Sequence, residues 1–316
     1  MSKVYLLDGV DATLQLTVNS EIPANIMNIK APEIWAKGIT GKGVTVAVID
    51  TGCDSKHKDL AGRILGGRNF TKEDKGDVNN YTDYHGHGTH VAGIIAANKN
   101  NSGMVGVAPN AKLLILKALD KNGSGNYSDI VSAVNYAVQQ KVDIISMSLG
   151  GPTDYKPLKE AIIKAVQANI CVVCAAANNG DGKSDTSEFA YPAYYTDVIS
   201  VGALDGTKTV APFSNSNNQV DLIAPGVNIV STYIGNKYAK MSGTSMAAPH
   251  VSGALALLKE WGKFSFGRPL SELELYAQLI KQTVSIGQPK TAEGNGMLYL
   301  TAQDELEKIV KKAGLF

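Results

Sequence analysis

Three short stretches hold residue types able to do chemistry. Asp50-Thr51-Gly52 follows Val44-Thr45-Val46-Ala47-Val48-Ile49, an apolar and β-branched run. Such a run reads as a buried parallel strand, and ligands of open α/β sheets sit outside the carboxyl ends of the strands. An aspartate there is placed for function, although an ordinary turn aspartate fits the same pattern. His85-Gly86-His87-Gly88-Thr89-His90 holds three of the five histidines. Zinc ligation, general-base catalysis and a structural role all suit such a cluster. For zinc, no His-Glu-x-x-His or cysteine set nearby completes four ligands. Gly243-Thr244-Ser245-Met246-Ala247-Ala248-Pro249-His250 sets a serine among small residues at the start of an apolar helix. The free N–H groups and dipole of a helix start favour developing negative charge, while Ser245 would equally serve as an N-cap.

The elements that must position these residues alternate. Strand-like runs recur at Lys112 to Leu119, Val142 to Ser148, Ile170 to Ala176, Val198 to Ala203 and Asp221 to Ala224. Helical patterns lie at Glu33 to Lys37, Val91 to Asn98, Ser128 to Gln140 and Leu158 to Asn169. A long helix is expected from Gly243 to about Trp261, with two more near Ser271 to Thr283 and Thr301 to Lys312. Alternation of this kind predicts an α/β fold: a doubly wound, mostly parallel central sheet with helices on both faces. Thr71 to Tyr84 and Asn178 to Glu188 read as surface loops. With no repeat or linker to divide the chain, residues 25–316 are expected to form one domain behind an N-terminal extension of residues 1–24.

Composition narrows the classes. The chain has 316 residues, 44% of them hydrophobic and 19% charged, which excludes disorder and fits an ordinary globular protein. A net charge of +1 supplies no general positive field for nucleic acid or an anionic membrane. The longest apolar run, Ile170 to Ala177, is far short of the roughly 20 residues that span a bilayer. Asp8 cuts the first apolar stretch too early for a secretory signal. Cys53, Cys171 and Cys174 are expected to be buried free thiols, which points to the cytoplasm. The first strand lacks a following Gly-x-Gly-x-x-Gly, which disfavours a dinucleotide site.

Taken together, aspartate, histidine and serine occur in that chain order, each in a Gly-rich turn of an α/β pattern. The sequence here resembles the subtilisin family of serine proteases, and within it the intracellular branch of bacilli. The resemblance is carried by Val46 to Asp54, His87 to Gly93, Ile144 to Gly151 and Gly243 to His250. The branch rests on Asp50-Thr51-Gly52-Cys53 and on the tail Gly294 to Ala302. It implies a serine endopeptidase in which Ser245 attacks, His87 moves the proton and Asp50 orients the imidazole. His90 would then be structural. Asn179 and the Ser245 N–H would form the oxyanion hole, with Asn178 standing where the family usually has Gly. An extended substrate would add as a strand between Gly123-Ser124-Gly125 and Ser148-Leu149-Gly150. The P4 pocket would use Leu119, Tyr127, Ile130 and Leu149. The P1 pocket would be walled by Ala175 to Ala177 and floored near Ala190, with a lean toward large apolar P1 residues.

The same resemblance implies calcium, an ion that takes oxygen ligands. A first site would use the side chains of Asp59 and Asn100 with carbonyls of Asn98, Ser102 and Met104; Ser20 stands where the family often has Gln. A second, weaker site would use carbonyls of Ala193, Tyr195 and Val198 with Asp221. The implied partners are protein and peptide substrates, with a homodimer open and neither nucleic acid nor membrane called for. The N-terminal arm would lie across the active site and be removed near Val18 to Pro23. It carries Leu6-Leu7-Asp8-Gly9, without the proline that intracellular relatives have in the comparable region. A dedicated leader-peptide protease, a silent binding protein of the same fold and a histidine-cluster metallohydrolase are the rival readings at this level.

Overall fold

The computed structural model describes residues 3–6, 11–12, 22–100 and 102–312. Along the chain come the arm strands β1 (Lys3–Leu6) and β2 (Asp11–Ala12), then the short helices α1 (Ala24–Asn28) and α2 (Ala31–Trp35). β3 (Thr45–Asp50) and β4 (Ile64–Asn69) precede α3 (His87–Ala96). β5 (Lys112–Lys117) and β6 (Ser124–Asn126) lead into α4 (Tyr127–Gln139). β7 (Ile144–Met147) and β8 (Leu149–Gly150) lead into α5 (Lys156–Gln167). β9 (Cys171–Ala175), β10 (Ile199–Leu204) and β11 (Val220–Pro225) follow, then the hairpin of β12 (Ile229–Tyr233) and β13 (Lys237–Met241). The chain closes with α6 (Thr244–Phe266), α7 (Glu272–Lys281), β14 (Thr283–Val284), α8 (Lys290–Glu293), β15 (Met297–Leu298) and α9 (Ala302–Lys312).

Among the described residues the main sheet runs β14-β15-β11-β10-β9-β7-β3-β5-β4. Every pairing in it is parallel except β14 with β15. This is the expected mostly parallel sheet. From β3 the chain moves to β4 and β5 on one side and to β7, β9, β10 and β11 on the other. The carboxyl ends of β3 and β7 therefore flank the switch point, where ligands of such sheets bind. Period-two alternation splits the core between the two faces. Val46 and Val48 of β3 join one cluster with α3 and α6, whereas Ala47 and Ile49 join another with α4.

Several boundaries move for local reasons. The helix expected at Glu33 to Lys37 is α2, which starts at Ala31 with Pro32 in its first turn and stops at Trp35. α3 begins at His87, four residues ahead of the apolar pattern, because Gly86 takes φ 105° and turns the chain into the helix. α6 passes Trp261 and ends where Gly267 adopts φ 66°. All three cysteines are free and buried, as expected. Burial raises each thiol, Cys171 up to about 12, so they are inert packing groups.

Two histidines are locked inside this frame. His250 of α6 bonds the Met246 carbonyl through Nδ1 at 2.8 Å and meets Asn25 Nδ2 of α1 through Nε2 at 2.7 Å. His90 places Nε2 3.1 Å from both the Ile229 and Ala239 carbonyls, as a structural histidine should. Burial lowers His250 to about 4, while burial and then the neighbouring His87 lower His90 to about 3. Both folded values lie below the unfolded one, so the unfolded chain binds more protons at intermediate pH. The stability these groups contribute is complete above about 6.5 and is lost as pH falls toward 4, by about 1.4 kcal/mol per pH unit for each histidine. Thermal unfolding should show Tm falling steadily from pH 6.5 to pH 4. A Tm that stays flat over that range would contradict the assignment of buried neutral histidines.

Candidate functional site

Asp50 ends β3 and His87 begins α3, and the two meet in a buried pair. His87 Nδ1 lies 2.8 Å from Asp50 Oδ1 and 3.0 Å from Oδ2. An ionised carboxylate only accepts, so Nδ1 holds the hydrogen and Nε2 carries the lone pair a general base needs. The two turns approach so closely that a Cβ on Gly88 would stand 2.2 Å from the Gly52 carbonyl oxygen. Gly88 donates its N–H to Thr51 Oγ1 at 2.9 Å, and Thr51 Oγ1 donates to Asp83 Oδ1 at 2.9 Å. Asp83 also accepts from the N–H groups of His85, Gly86 and Thr89 and from Thr89 Oγ1. Burial alone would raise this carboxyl; the hydrogen bonds, led by Gly86, outweigh it and hold the group below the usual carboxylate range. Nothing in the sequence reading singled out Asp83. Its only sequence signal is an acid a few residues ahead of the helix that starts at His87.

Ser245 is the second residue of α6 and is buried. Its Oγ donates to the Ser148 carbonyl at 3.2 Å, and Ser148 Oγ donates to the Ser245 carbonyl at 2.9 Å. The second bond has a local cause. Pro249 lies four residues on inside α6 and has no N–H for the Ser245 carbonyl, so the Ser148 hydroxyl donates in its place. Proton transfer to His87 requires the Ser245 hydroxyl to turn from the Ser148 carbonyl, a looseness common outside the reacting complex.

Asn179 lies just past β9, exposed toward the cleft, with its N–H on Asn215 Oδ1 at 2.7 Å. The Gly expected at Asn178 belongs one residue earlier, which makes Asn178 rather than Asn179 the asparagine bonded beside the nucleophile. The positive φ, 89°, falls on Ala177. Asn178 instead sends Oδ1 to the N–H and Oγ1 of Thr244, both at 2.9 Å.

The segments expected to flank a substrate do flank a strand. β1 runs antiparallel between β6 and β8, with Val4 opposite Gly125 and Tyr5 opposite both Ser124 and Gly150. Leu6 N–H reaches the Gly123 carbonyl at 2.7 Å. Val4 is wholly buried in a cluster with Leu119, Tyr127, Ile130 and Leu149, the four residues expected to line the P4 pocket, while Tyr5 is half exposed. Beyond β1, β2 pairs with β13, whose last residue Met241 precedes Ser242 and the nucleophile turn. A cavity beside Asn179 is lined by Gly150, Gly151, Pro152, Asn178, Phe189 and Ala190, among others. Ala190, expected near the floor of the P1 pocket, lines this cavity. Ala175, Ala176 and Ala177, the expected wall, are all buried and none is among the lining residues; Gly151, Pro152 and Phe189 line the cavity instead.

The calcium residues gather in part. Buried Asp59 accepts from Asn100 Nδ2 at 3.4 Å, Met104 N–H at 3.0 Å and Tyr238 Oη at 2.7 Å. Asn100 Oδ1 accepts from Ser102, and Asn98 N–H bonds the Asp59 carbonyl. A carboxylate and an amide suit a hard cation by type, but here Asn100 turns its nitrogen to Asp59, and Asp59 Oδ2 already accepts from Met104 N–H and Tyr238 Oη. Ser20 lies outside the described residues. Asp221 accepts from Ser200 N–H and Tyr276 Oη, so both its carboxylate oxygens already serve the protein. Among the described residues no group of three or more His, Cys, Asp or Glu side chains could hold a metal, which removes the basis for a histidine-cluster metal site. No described helix is long and apolar enough to cross a membrane.

Comparison with known proteins agrees with this geometry. A model of the subtilase family matches residues 41–297. The chain is 58% identical over 307 residues to an intracellular serine protease of Paenibacillus polymyxa, covering 97% of this chain and 94% of that protein. It is 56% identical over 297 residues to the major intracellular serine protease of Bacillus subtilis (strain 168), covering 94% and 93%. Subtilisin E of the same bacterium is 47% identical over 237 residues, which is 75% of this chain and 61% of that protein. With an Asp-His pair at hydrogen-bond distance and a serine at the head of the neighbouring helix, the chain belongs to the subtilase family and is a serine endopeptidase.

Proposed function

We propose that this endopeptidase cuts extended polypeptide inside the cell with broad specificity, and that its own N-terminal arm restrains it. The observation that carries the reading is β1, a strand lodged between β6 and β8 with Val4 buried among Leu119, Tyr127, Ile130 and Leu149. Main-chain hydrogen bonds from both flanking segments would hold any extended peptide in the same way, leaving selection to the pockets. The pockets favour apolar residues at P4 and a large apolar residue at P1, between Gly151 and Phe189. Ser245 Oγ then attacks the scissile carbonyl as His87 Nε2 takes its proton. The Ser245 N–H holds the oxyanion together with the side chain of Asn178, which is fixed on Thr244 beside the nucleophile, and His87 returns the proton to the leaving amine. The relatives named as intracellular proteases support a cytoplasmic setting and a role in protein turnover. A homodimer belongs to the same reading; α9 leaves Leu306 and Ile309 exposed for one. Calcium would be held by Asp59 and Asn100 with carbonyls of Asn98, Ser102 and Met104, joining the β4 side of the fold to the loop after α3. The second site, at Ala193, Tyr195, Val198 and Asp221, would be the weaker.

Three measurements test this reading. Ser245→Ala should lower kcat on casein by about 10⁶-fold, a loss established by removing the nucleophile of a subtilisin, with the fold intact by circular dichroism. Rapid casein cleavage by that variant would sink the assignment. Full-length protein should be slow at first and accelerate as mass spectrometry records cleavage between Val18 and Pro23, whereas a chain starting at Pro23 is active at once. Equal activity from the first seconds, without trimming, would overturn restraint by the arm. Saturating calcium should raise the Tm of the Ser245→Ala variant by about 5 °C relative to chelator, since a ligand at 100 times its Kd adds about 2.7 kcal/mol. Asp59→Asn should abolish most of that shift; an unchanged shift would remove the first site from the reading.

A further inference from the structure

The second half of α6, the end of α2 and the first turns of α9 border an apolar cavity of about 170 Å³. Its walls are Ile34, Ile39, Leu257, Leu258, Trp261 and Leu300. Ile39, Leu257, Leu258 and Leu300 are buried, and all six belong to the larger core cluster or pack against it. α9 covers this space without filling it. It contributes only Gln303, Asp304 and Glu307, while Leu306 and Ile309 on its apolar stripe are exposed.

Size and lining together decide what such a space holds. A water needs roughly two to four polar partners, whereas an apolar cavity of about 150 Å³ lined by aliphatic and aromatic side chains stays dry and takes up benzene. Most polar groups at the rim bond one another. Lys37 Nζ meets Asp304 Oδ2 at 2.5 Å, and Gln303 Nε2 meets Glu307 Oε1 at 3.2 Å. Gln282, at the C-terminal end of α7, also lines the cavity and differs from them. Its Oε1 is shut off from solvent and meets no donor. Leaving a buried acceptor unpaired costs the full desolvation of that group, and one donor brought to it removes the penalty. The cavity therefore offers room for one six-membered ring, apolar walls and a single acceptor.

We propose that this cavity is a binding site for a small single-ring aromatic molecule carrying one O–H or N–H donor, of the class of the phenols. The ring packs among Trp261 and the leucines, and its donor bonds Gln282 Oε1. The site is separate from the peptide cleft, since Ser245 opens α6 and the cavity lies along its second half. It stands independently of how the peptidase is restrained or what it cuts.

Trp261 makes the site readable. The chain has two tryptophans, and Trp35 is held elsewhere, with Nε1 on the Val107 carbonyl at 2.9 Å. In a Trp35→Phe background of the full chain, Trp261 emission is followed with excitation where phenol does not absorb. Phenol should change it saturably, with a Kd below about 1 mM, within reach of so small a ligand. Gln282→Leu should weaken phenol by about tenfold, the size of one hydrogen bond to an otherwise unpaired acceptor, and leave toluene within about twofold. Leu258→Trp fills the cavity and should abolish binding of both; should that variant fail to fold by circular dichroism, Gln282→Leu decides alone. No saturable change in emission, phenol binding retained by a folded Leu258→Trp variant, or equal losses of phenol and toluene in Gln282→Leu would each overturn the proposal. So would a Kd that rises with protein concentration, the sign of a second copy filling the cavity.

Discussion

The site depends on how closely two turns approach. The turn after β3 and the turn into α3 meet with no room for a side chain at Gly88, whose Cβ would collide with the Gly52 carbonyl. Only at that distance does the carboxylate of Asp50 reach His87 Nδ1. Two buried charges hold the turns together. Asp83 gathers donors from the His87 side and from Thr51. Lys117, wholly buried at the end of β5, places Nζ 2.6 Å from the Thr51 carbonyl and 2.9 Å from Glu73. Removing a lysine from water costs several kcal/mol unless it is paired and hydrogen-bonded. Both conditions are met, and the bond it makes bears on the residue next to Asp50.

The nucleophile is fixed by a different device. Ser148 and Ser245 exchange hydrogen bonds, hydroxyl to carbonyl in each direction. The exchange exists because Pro249 leaves the Ser245 carbonyl without its helical donor. Ser148 lies between β7 and β8, and β8 is one of the two segments that grip β1. The proline thus couples the nucleophile to the segment that aligns an extended chain. Side chains from β3, β7, β9 and two helices converge in this way at the switch point of the sheet, each with its backbone held by the element behind it.

Much of this was legible in the sequence, and the legible parts share a cause. Buried parallel strands need continuous β-branched runs, so β3, β5, β7 and β9 stood out within two residues of their ends. Asp50 and Ser245 were readable because each sits where such an element starts or stops. β4 was not readable: Gly66 and Gly67 interrupt its pattern, and its pairing shifts register between Ile64 and Gly66. β1 was not readable as a strand from its own residues, since four residues without a period fall below any pattern and their order comes from the bonds of β6 and β8. The cavity wall at Phe189 and the strain at Ala177 were hidden as well. Both depend on where loops from distant parts of the chain fold back, and Ala177 carries its positive φ because Thr244 and Asn215 hold it there.

Recognition by strand addition has a consequence for any enzyme that uses it. The main-chain bonds made by Tyr5 and Leu6 would be made by almost any sequence, and among the described arm residues only the Val4 side chain is completely buried. A cleft of this kind is open to extended segments of its own chain. A tethered segment competes at an effective concentration of about millimolar, whereas a substrate competes at its bulk concentration. Under the proposed restraint, a weakly matched arm suffices to fill the cleft, and affinity is not what the arm must supply. It must delay its own hydrolysis. The pairing of β2 with β13 bears on this point, because it holds the arm beyond the nucleophile as well as before it. An arm anchored on both sides keeps a cleaved leaving segment in place, so that after attack the amine is retained beside the acyl-enzyme and the bond can re-form. Restraint of this kind is a matter of slow departure rather than of blocked attack.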